Sequence, residues 1–291
     1  LTDVTGVQTC ALPISTDVNA TFKWSALASF APRDPFLYPD TETAIHLYRA
    51  RLGLRHRFND TLSGDFAYEN RGQFASANAG LTAGAAILPA FGEAPYRIEQ
   101  LDWQLFSDGE LSSRHEIDRA SVTYTPAWGE ITAGRQAIGL GRGVLFGAVD
   151  LFAPFSPAEV DREWRRGVDA LRAEYRFADT AAVELIAAAG RDWDHSAVLA
   201  RARGYLGPVD GELLIGKRAR DFFTGLVASA TVGDAEIHGE FAVFHTPEEH
   251  PGGGLFGADD WIPKAVIGTS YTFDIGNGLT LLGEYHYSGF G

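Results

Sequence analysis

The chain has no methionine and a single cysteine, and its 24 Lys and Arg residues are outnumbered by 38 Asp and Glu residues. One cysteine excludes an intrachain disulfide framework and a multi-cysteine metal cluster. The formal charge of −14 argues against a protein that mainly coats nucleic acid, because phosphates require a basic surface. No apolar run reaches the roughly 18 residues that a membrane helix needs. A transmembrane β-barrel is not excluded, since its signal is alternation rather than bulk hydropathy.

The first 15 residues stand apart from the rest of the chain. They contain the only cysteine, Cys10, and lack the basic start and the long apolar core of a signal peptide. We expect residues 1–15 to be a non-native segment, with a genuine N-terminal tail as the alternative. Because the initiator methionine is absent, we also expect the chain to be a fragment or a processed form. The fold prediction therefore concerns residues 16–291.

From residue 16 onward, apolar and polar residues alternate with a period of two, and turn residues interrupt the alternation at regular intervals. The clearest example is residues 48–58, where Leu52 and Leu54 share one face and four arginines share the other. A strand places alternate residues on opposite faces, whereas a helix would scatter the arginines around its circumference. The turn pair Asn59-Asp60 and a second alternating run follow, which predicts a β-hairpin.

The alternation predicts an all-β fold, an antiparallel transmembrane β-barrel of which about 13 strands are visible. Bacterial single-chain barrels close with an even number of strands, so we expect an incomplete barrel with 14–18 strands when complete. Residues 97–106 are either a strand or an excursion within a long loop; if they are an excursion, short turns and long loops alternate along the chain, as in outer-membrane barrels. The predicted strands are 22–30, 43–58, 62–74, 116–126, 129–138, 167–177, 181–190, 196–205, 211–218, 221–232, 235–245, 262–274 and 278–288.

Any antiparallel sheet with one wet face alternates in this way, so three further features decide between a soluble sheet and a membrane barrel. The apolar face carries almost no charge over a long series of strands, and its aromatic residues lie near strand ends, as in an interfacial girdle. The opposite face bears charges in the middle of strands, where a packed soluble core could not hold them unpaired. These features favour a membrane barrel.

Residues 131–177 contain a series of short motifs that resembles porin-like outer-membrane proteins. The Arg-rich inward face and the Gly-Arg-Gln strand end are also similar to alginate-export-type barrels. The detailed similarity covers about 47 residues; it implies an outer-membrane channel of a Gram-negative bacterium and names no solute. The motifs are Gly134-Arg135-Gln136, the Gly-rich stretch 139–143, the stretch 150–157, Asp161-Arg162-Glu163 and Gly167-Val168-Asp169.

Charged residues on the inward face of such a barrel would line its lumen. Positive side chains along a narrow aqueous path favour anions. Interspersed carboxylates would instead neutralise the arginines and only keep the lumen wet, and the sequence leaves both interpretations open. The predicted pore-lining residues are Arg49, Arg51, Arg55, Arg57, Asp65, Glu69, Arg71, Arg172, Glu174, Arg176, Arg201 and Arg203.

Residues 138–166 are the predicted constriction loop. The segment is long, apolar and punctuated by Pro154 and Pro157, so we expect it to fold inward and pack inside the barrel. Its arginines near the C-terminal end could pair with nearby acids. Such a network would either only fix the position of the loop or, in addition, affect conductance. The predicted constriction residues are Arg135, Arg142, Asp150, Asp161, Arg162, Glu163, Arg165, Arg166 and Asp169.

The sequence predicts no enzyme and no catalytic residues, because no nucleophile motif such as Gly-x-Ser-x-Gly accompanies the histidines of the long loops. It predicts no cofactor, no metal site and no nucleic-acid partner. The leading hypothesis is a porin-like channel of the bacterial outer membrane, surrounded by outer-membrane lipid, for passive diffusion or export of small hydrophilic or anionic solutes. The alternatives are a non-conducting structural or adhesive barrel and a soluble periplasmic β-protein. The sequence does not give the oligomeric state.

Overall fold

The computed structural model describes residues 14–30, 42–75, 94–108, 110–152, 165–247 and 260–290. Fourteen strands form one antiparallel sheet, which confirms the predicted all-β fold. No helix in these residues is long and apolar enough to cross a membrane. The strands are β1 (Ser15–Phe30), β2 (Glu42–Arg57), β3 (Leu62–Ala75), β4 (Asp102–Asp108), β5 (Leu111–Tyr124), β6 (Gly129–Gln136), β7 (Val168–Ala178), β8 (Ala181–Ala188), β9 (Ala197–Leu206), β10 (Val209–Arg218), β11 (Asp221–Val232), β12 (Ala235–His245), β13 (Trp261–Phe273) and β14 (Leu279–Ser288).

Each strand pairs with the next one along the chain, except for β4. β4 pairs only with the beginning of β5, next to the place where β6 pairs with the end of β5. Residues 102–106 of the ambiguous segment 97–106 therefore belong to a strand, but this strand lies outside the main succession of 13 strands and does not change their order. Within the described residues, β1 pairs only with β2 and β14 only with β13, so the sheet has two open edges.

Two strands are longer than the alternation predicted. β1 begins at Ser15 rather than at residue 22, and its first residues pair with the end of β2 in an unbroken register. β5 begins at Leu111 rather than at residue 116, and pairs with β3 along this extension. In both cases the partner strand already offers N–H and C=O groups that would otherwise lack hydrogen-bond partners, so pairing continues past the alternating residues.

Short and long links alternate along most of the chain, as predicted. The exception is the link between β10 and β11, which consists only of Ala219 and Arg220. Ala219 has a φ of 51°, in the left-handed region that tight turns use. A tight turn therefore stands where the alternation of short turns and long loops predicts a longer link.

The two faces of the sheet have opposite chemistry. The apolar residues of the predicted outward face, such as Leu52, Leu185 and Ile267, are exposed. The charged residues of the other face include Arg51 and Glu184, which are buried. A soluble sheet protein buries its apolar face, so this arrangement is the one expected of a sheet surrounded by lipid. The aromatic residues predicted near strand ends are exposed as well: Phe58, Tyr124, Tyr175, Phe177, Phe273, Tyr285 and Tyr287.

The main apolar core lies on the inner, charged face of the sheet, where two non-strand segments pack against the strands. From residues 138–152, Val149 and Phe152 are fully buried among side chains of β7 to β13. From residues 94–100, Tyr96 packs against Phe152, with ring centroids 5.5 Å apart. These two segments occupy the region that would be the lumen of a closed barrel.

Candidate functional site on the inner face

The first cluster of charged side chains lies on β2, β3 and β5, and we call it the buried ion network. Glu69 is at its centre: Arg49 Nε donates to Glu69 Oε1 at 3.0 Å and Arg51 Nη1 to Oε2 at 3.0 Å, while Arg71 Nε lies 3.2 Å from Oε1. The register explains the contact, because Arg51 lies opposite Glu69 and Arg49 opposite Arg71. All four side chains are at most 9% exposed.

Glu116 of β5 extends the buried ion network towards two loop segments. Arg71 Nη2 of the neighbouring strand lies 2.9 Å from Glu116 Oε1. Arg97 Nη1 and Arg166 Nη2 approach from outside the strands and donate to Glu116 Oε2 at 3.2 and 3.1 Å. A single carboxylate thus joins a strand to the 94–100 segment and to residues 165–167, which lead into β7.

Asp118, the next acid along β5, likewise joins strands to a loop segment. Arg51 Nη1 and Arg119 Nη1 donate to Asp118 Oδ2 at 2.7 and 2.5 Å. The backbone N–H of Gly167 donates to Oδ1 at 2.8 Å. Glu116 and Asp118 are two residues apart on β5 and so share a face, which lets both acids contact arginines of β2 and β3.

The Gly-Arg-Gln motif at the end of β6 has a clear local role. Arg135 Nε donates to Asp169 Oδ1 at 2.7 Å, and Arg135 Nη1 donates to the carbonyl of Gln100 at 2.8 Å. Gly134 has a φ of 113°, and a Cβ atom there would lie 2.3 Å from the carbonyl oxygen of Ala120. Glycine therefore permits the close approach of β5 and β6, and the arginine fastens the 94–100 segment to β6 and β7.

A second cluster lies on the inner face of β7 to β10. Arg201 is held between two carboxylates: its Nη2 donates to Glu212 Oε1 at 2.7 Å, and its Nη1 donates to Glu184 Oε2 at 3.3 Å. Arg172 Nε donates to the other oxygen of Glu184 at 2.8 Å. Opposite charges therefore alternate across neighbouring strands at this level.

Glu174 of β7, which lies opposite Glu184 of β8, is shared by two arginines. Arg176 Nε donates to Glu174 Oε1 at 2.7 Å, and Arg203 Nη2 donates to Oε2. Arg142, from the 138–152 segment, pairs with Asp210 across the same space. An open cavity of about 400 Å³, which we call the arginine cleft, lies here. Its lining includes Arg142, Arg176, Arg201, Arg203, Asp210 and Glu212.

Glu240 of β12 holds the 138–152 segment through its backbone. Its Oε1 accepts hydrogen bonds from the N–H groups of Arg142 and Gly143 at 2.5 and 2.6 Å, and its Oε2 accepts from those of Ala148 and Val149 at 2.7 and 3.3 Å. A carboxylate that accepts several backbone N–H groups stabilises an irregular segment that has no strand partner. Glu240 is itself buried.

Glu284 of β14 holds the middle of the same segment. Its carboxylate accepts hydrogen bonds from the N–H groups of Val144, Leu145 and Phe146 at 2.6, 2.7 and 3.0 Å. His238 Nε2 lies 2.8 Å from Glu284 Oε1. Two carboxylates of the sheet thus satisfy most of the backbone N–H groups between residues 142 and 149.

Arg165 pairs with Asp150, one of the pairings that the sequence allowed. Burial raises the pKa of the Asp150 carboxyl above its usual value, although the Arg165 guanidinium acts in the opposite direction. Two other predicted participants have different partners, since Arg166 contacts Glu116 and Asp169 contacts Arg135. The loop is therefore held both by the Arg165–Asp150 pair and by ion pairs with residues of the strands.

Comparisons with solved structures identify the fold. A loop L8 deletion mutant of OmpT, an outer membrane protein of Vibrio cholerae, is 12% identical, with a TM-score of 0.51 over 94% of this chain and 82% of that one. Salmonella typhi OmpF is 11% identical, with a TM-score of 0.50 over 94% of this chain and 78% of that one. This chain has the fold of an outer-membrane β-barrel. No protein-family model matches its sequence, and no curated protein matches it.

The barrel fold agrees with the resemblance to porin-like outer-membrane proteins and is the fold expected of a protein in the bacterial outer membrane. The described residues contain the predicted succession of 13 strands, and β4 is an additional strand beside it. The absence of enzymatic activity and of a cofactor stays a prediction. Among the described residues, no group of three or more His, Cys, Asp or Glu side chains could hold a metal ion.

The predicted pore-lining residues lie on the inner face of the barrel, but they differ in exposure. The side chains of Arg49, Arg51, Arg71 and Glu69 are buried in the ion network. Arg55 and Arg57 are exposed near the short-turn rim, and Arg55 Nη2 donates to Asp65 at 3.1 Å. A direct role in a pore stays a prediction for all twelve residues. Of the predicted constriction residues, Asp161, Arg162 and Glu163 lie outside the described residues.

Several important inner-face residues did not emerge from the sequence as site residues. They are Arg97, Glu116, Asp118, Glu240, Glu284 and His238. Glu240, Glu284 and His238 lie on the charged side of alternating strands, so the alternation contained a signal for their direction. The alternation gave no indication that these side chains would bind the backbone of a loop.

Proposed function

We propose that this protein is a porin-like channel of the bacterial outer membrane through which small hydrophilic solutes diffuse passively or are exported, with anionic solutes preferred. One observation carries the proposal: a barrel-type sheet presents apolar side chains on one face and fastens two irregular segments to charged side chains on the other. An apolar outer face suits lipid, and a charged inner face suits a water-filled passage. The likeness to outer-membrane barrels supports the same conclusion.

Side-chain exposure supports the preference for anions. Where the inner-face ion pairs are accessible, the arginine is more exposed than the acid: 73% against 36% for Arg55 and Asp65, and 48% against 10% for Arg176 and Glu174. A passing solute would meet guanidinium groups before carboxylates. Positive groups that line a narrow aqueous path lower the energy of an anion within it.

Planar lipid bilayers test both aspects of the proposal. The purified protein, refolded in detergent and added to one side, should give discrete conductance steps in KCl. In a KCl gradient, the reversal potential should shift towards the equilibrium potential of chloride. A folded protein that gives no steps would contradict the channel, and a shift towards the potassium potential would contradict the anion preference alone. Protein unfolded by heating serves as the control for leakage.

The second candidate is a non-conducting structural or adhesive barrel. It is favoured by two observations: the 94–100 and 138–152 segments pack against the inner face, and Arg49, Arg51 and Arg71 of that face are buried. Segments packed in this way could close the lumen completely. The same bilayer experiment separates the two functions, provided that circular dichroism shows β-structure in the protein that is added.

A further inference from the structure

The arginine cleft combines side chains that are far apart in the sequence, from residue 142 to residue 212. It opens on the inner face between β7, β9, β10 and the 138–152 segment, with a volume of about 400 Å³. This volume falls within the roughly 300–1,000 Å³ of sites that hold one small molecule. The charged residues around it are four arginines, Arg142, Arg176, Arg201 and Arg203, and three acids, Asp179, Asp210 and Glu212.

We propose that the arginine cleft is a binding subsite for one small solute that carries an oxyanion group, a carboxylate or a phosphate. The proposal rests on the channel function, because it places the subsite on the path of the solute. It names a location and three side chains that recognise the solute: the guanidinium groups of Arg142, Arg176 and Arg203.

The arginine cleft has nearly equal numbers of positive and negative side chains. The two kinds differ in how exposed they are. The side chains of Arg142, Arg176 and Arg203 are 39%, 48% and 42% exposed. The acids that they or Arg201 contact are less accessible, with 17% exposure for Asp210, 10% for Glu174 and 4% for Glu212. Asp179, in the turn after β7, is the one exposed acid among the described lining residues. Asp210, Glu174 and Glu212 therefore lie against the wall beneath the longer arginines, so that three exposed guanidinium groups outnumber the single exposed carboxylate of the described lining. A solute in the cleft meets positive charge although the wall as a whole is close to neutral.

The three guanidinium groups also keep donors available. Within the described residues, each of them donates to a carboxylate through one nitrogen, Nε of Arg176 and Nη2 of Arg203 and Arg142. A guanidinium has five N–H donors arranged as a fork. The remaining N–H groups match the two oxygens of a carboxylate or phosphate better than a spherical chloride ion, because the fork recognises planar or multi-oxygen groups bidentately.

The position of Arg142 depends on the loop anchor. Its backbone N–H donates to Glu240 at 2.5 Å, while its side chain reaches Asp210 on β10. The wall residues Arg176 and Arg203 come from β7 and β9. The subsite is therefore assembled from both the sheet and the loop, and is complete only when the loop is anchored.

Calorimetric titration of the folded protein in detergent micelles tests the subsite without requiring conduction. Citrate and inorganic phosphate are the probes, and glycerol is the uncharged control. We expect saturable binding that weakens as salt increases, because exposed charges are screened. Arg142→Gln, Arg176→Gln and Arg203→Gln should each weaken binding by about threefold or more, the scale of a partly exposed ion pair. Arg191→Gln is the matched control, since Arg191 is an exposed arginine next to an acid, Asp192, and lies outside the cleft.

The outcomes separate the subsite from the channel. Saturable binding of citrate, of phosphate or of both supports the subsite, and the probe that binds identifies the class of oxyanion. Binding of neither, or equal losses in Arg191→Gln and in the three cleft variants, would overturn it. A protein that binds citrate but gives no conductance steps would contradict only the channel. If the strand variants do not fold, Arg142→Gln still decides, because the loop anchor uses the backbone of Arg142 and not its side chain.

Discussion

Glu240 Oε2 on β12 accepts a hydrogen bond of 2.7 Å from the backbone N–H of Ala148, a residue 92 positions earlier in the chain. The same carboxylate accepts from three other N–H groups of the 138–152 segment. The segment has no strand partner there, so a side chain of the sheet takes the place of one. The conformation of the segment consequently depends on side chains of β12 and β14 as well as on its own sequence.

Glu240→Ala should release this segment from the sheet. Four backbone N–H groups would lose their acceptor, and each buried donor left without a partner costs about 1–3 kcal/mol. We expect a larger and noisier single-channel conductance in planar bilayers. Glu236→Ala is the matched control, because Glu236 lies on the same strand and is exposed near the turn. Equal conductance of the Glu240 variant and the wild type would show that the segment does not narrow the passage.

Glu284→Ala should expose the middle of the same segment to protease. Its carboxylate accepts three backbone N–H groups and contacts His238 Nε2, so its loss should speed tryptic cleavage after Arg142. His238→Ala should have a smaller effect, since the three backbone hydrogen bonds remain. Cleavage rates of the folded protein are followed by mass spectrometry. A larger effect of the histidine variant would mean that the histidine, and not the carboxylate, holds the segment.

Glu69→Ala should strongly destabilise the barrel. Three arginines contact this buried carboxylate, and removal of one partner of a buried ion pair costs about 3–5 kcal/mol because the other charge stays buried. Asp65→Ala, on the same strand, removes the partner of an exposed arginine and should cost at most about 1 kcal/mol. Urea unfolding in detergent, followed by tryptophan fluorescence, measures both. Similar losses in the two variants would contradict a special role for the buried ion network.

Asp150→Asn should change stability in a pH-dependent manner. Burial raises the pKa of the Asp150 carboxyl in the folded protein, so its charged form opposes folding. This cost is absent below the ordinary carboxyl pKa of about 4, grows as pH rises towards the raised value, and is complete above it. The asparagine variant should therefore unfold at a higher temperature than the wild type at about pH 7, with the difference vanishing near pH 4.

The thermal midpoint of unfolding in detergent at several pH values measures this difference. Asp234→Asn, in the exposed turn between β11 and β12, is the control and should show no such trend. A variant that is less stable than the wild type at neutral pH would show that the pair with Arg165 outweighs the cost of burial.

The alternation predicted the fold well because it is a local signal. Arg51 and Leu52 point to opposite faces in any strand, so the sequence could show which residues share a face before any partner strand was known. Strand ends were predicted less well. β1 and β5 begin earlier than the alternation does, because pairing with a long neighbour extended them.

The site was predicted less completely than the fold. The Arg-rich face of β2 was evident from the sequence, but the exposure of Arg51 depends on Asp118, 67 positions away, and on the loop segments that cover both. Arg97 lies in a segment without regular alternation, so nothing in its neighbourhood indicated that its side chain would be buried between Glu116 and Asp118.

By itself, the sequence determined a succession of strands with one apolar and one charged face, because side-chain direction in a strand follows from the backbone alone. Only the tertiary structure decided which charges of that face are buried in an ion network, which remain exposed in the arginine cleft, and which bind the backbone of a loop. Those differences arise from contacts between residues far apart in the chain. The register of neighbouring strands and the packing of two segments against the sheet create these contacts.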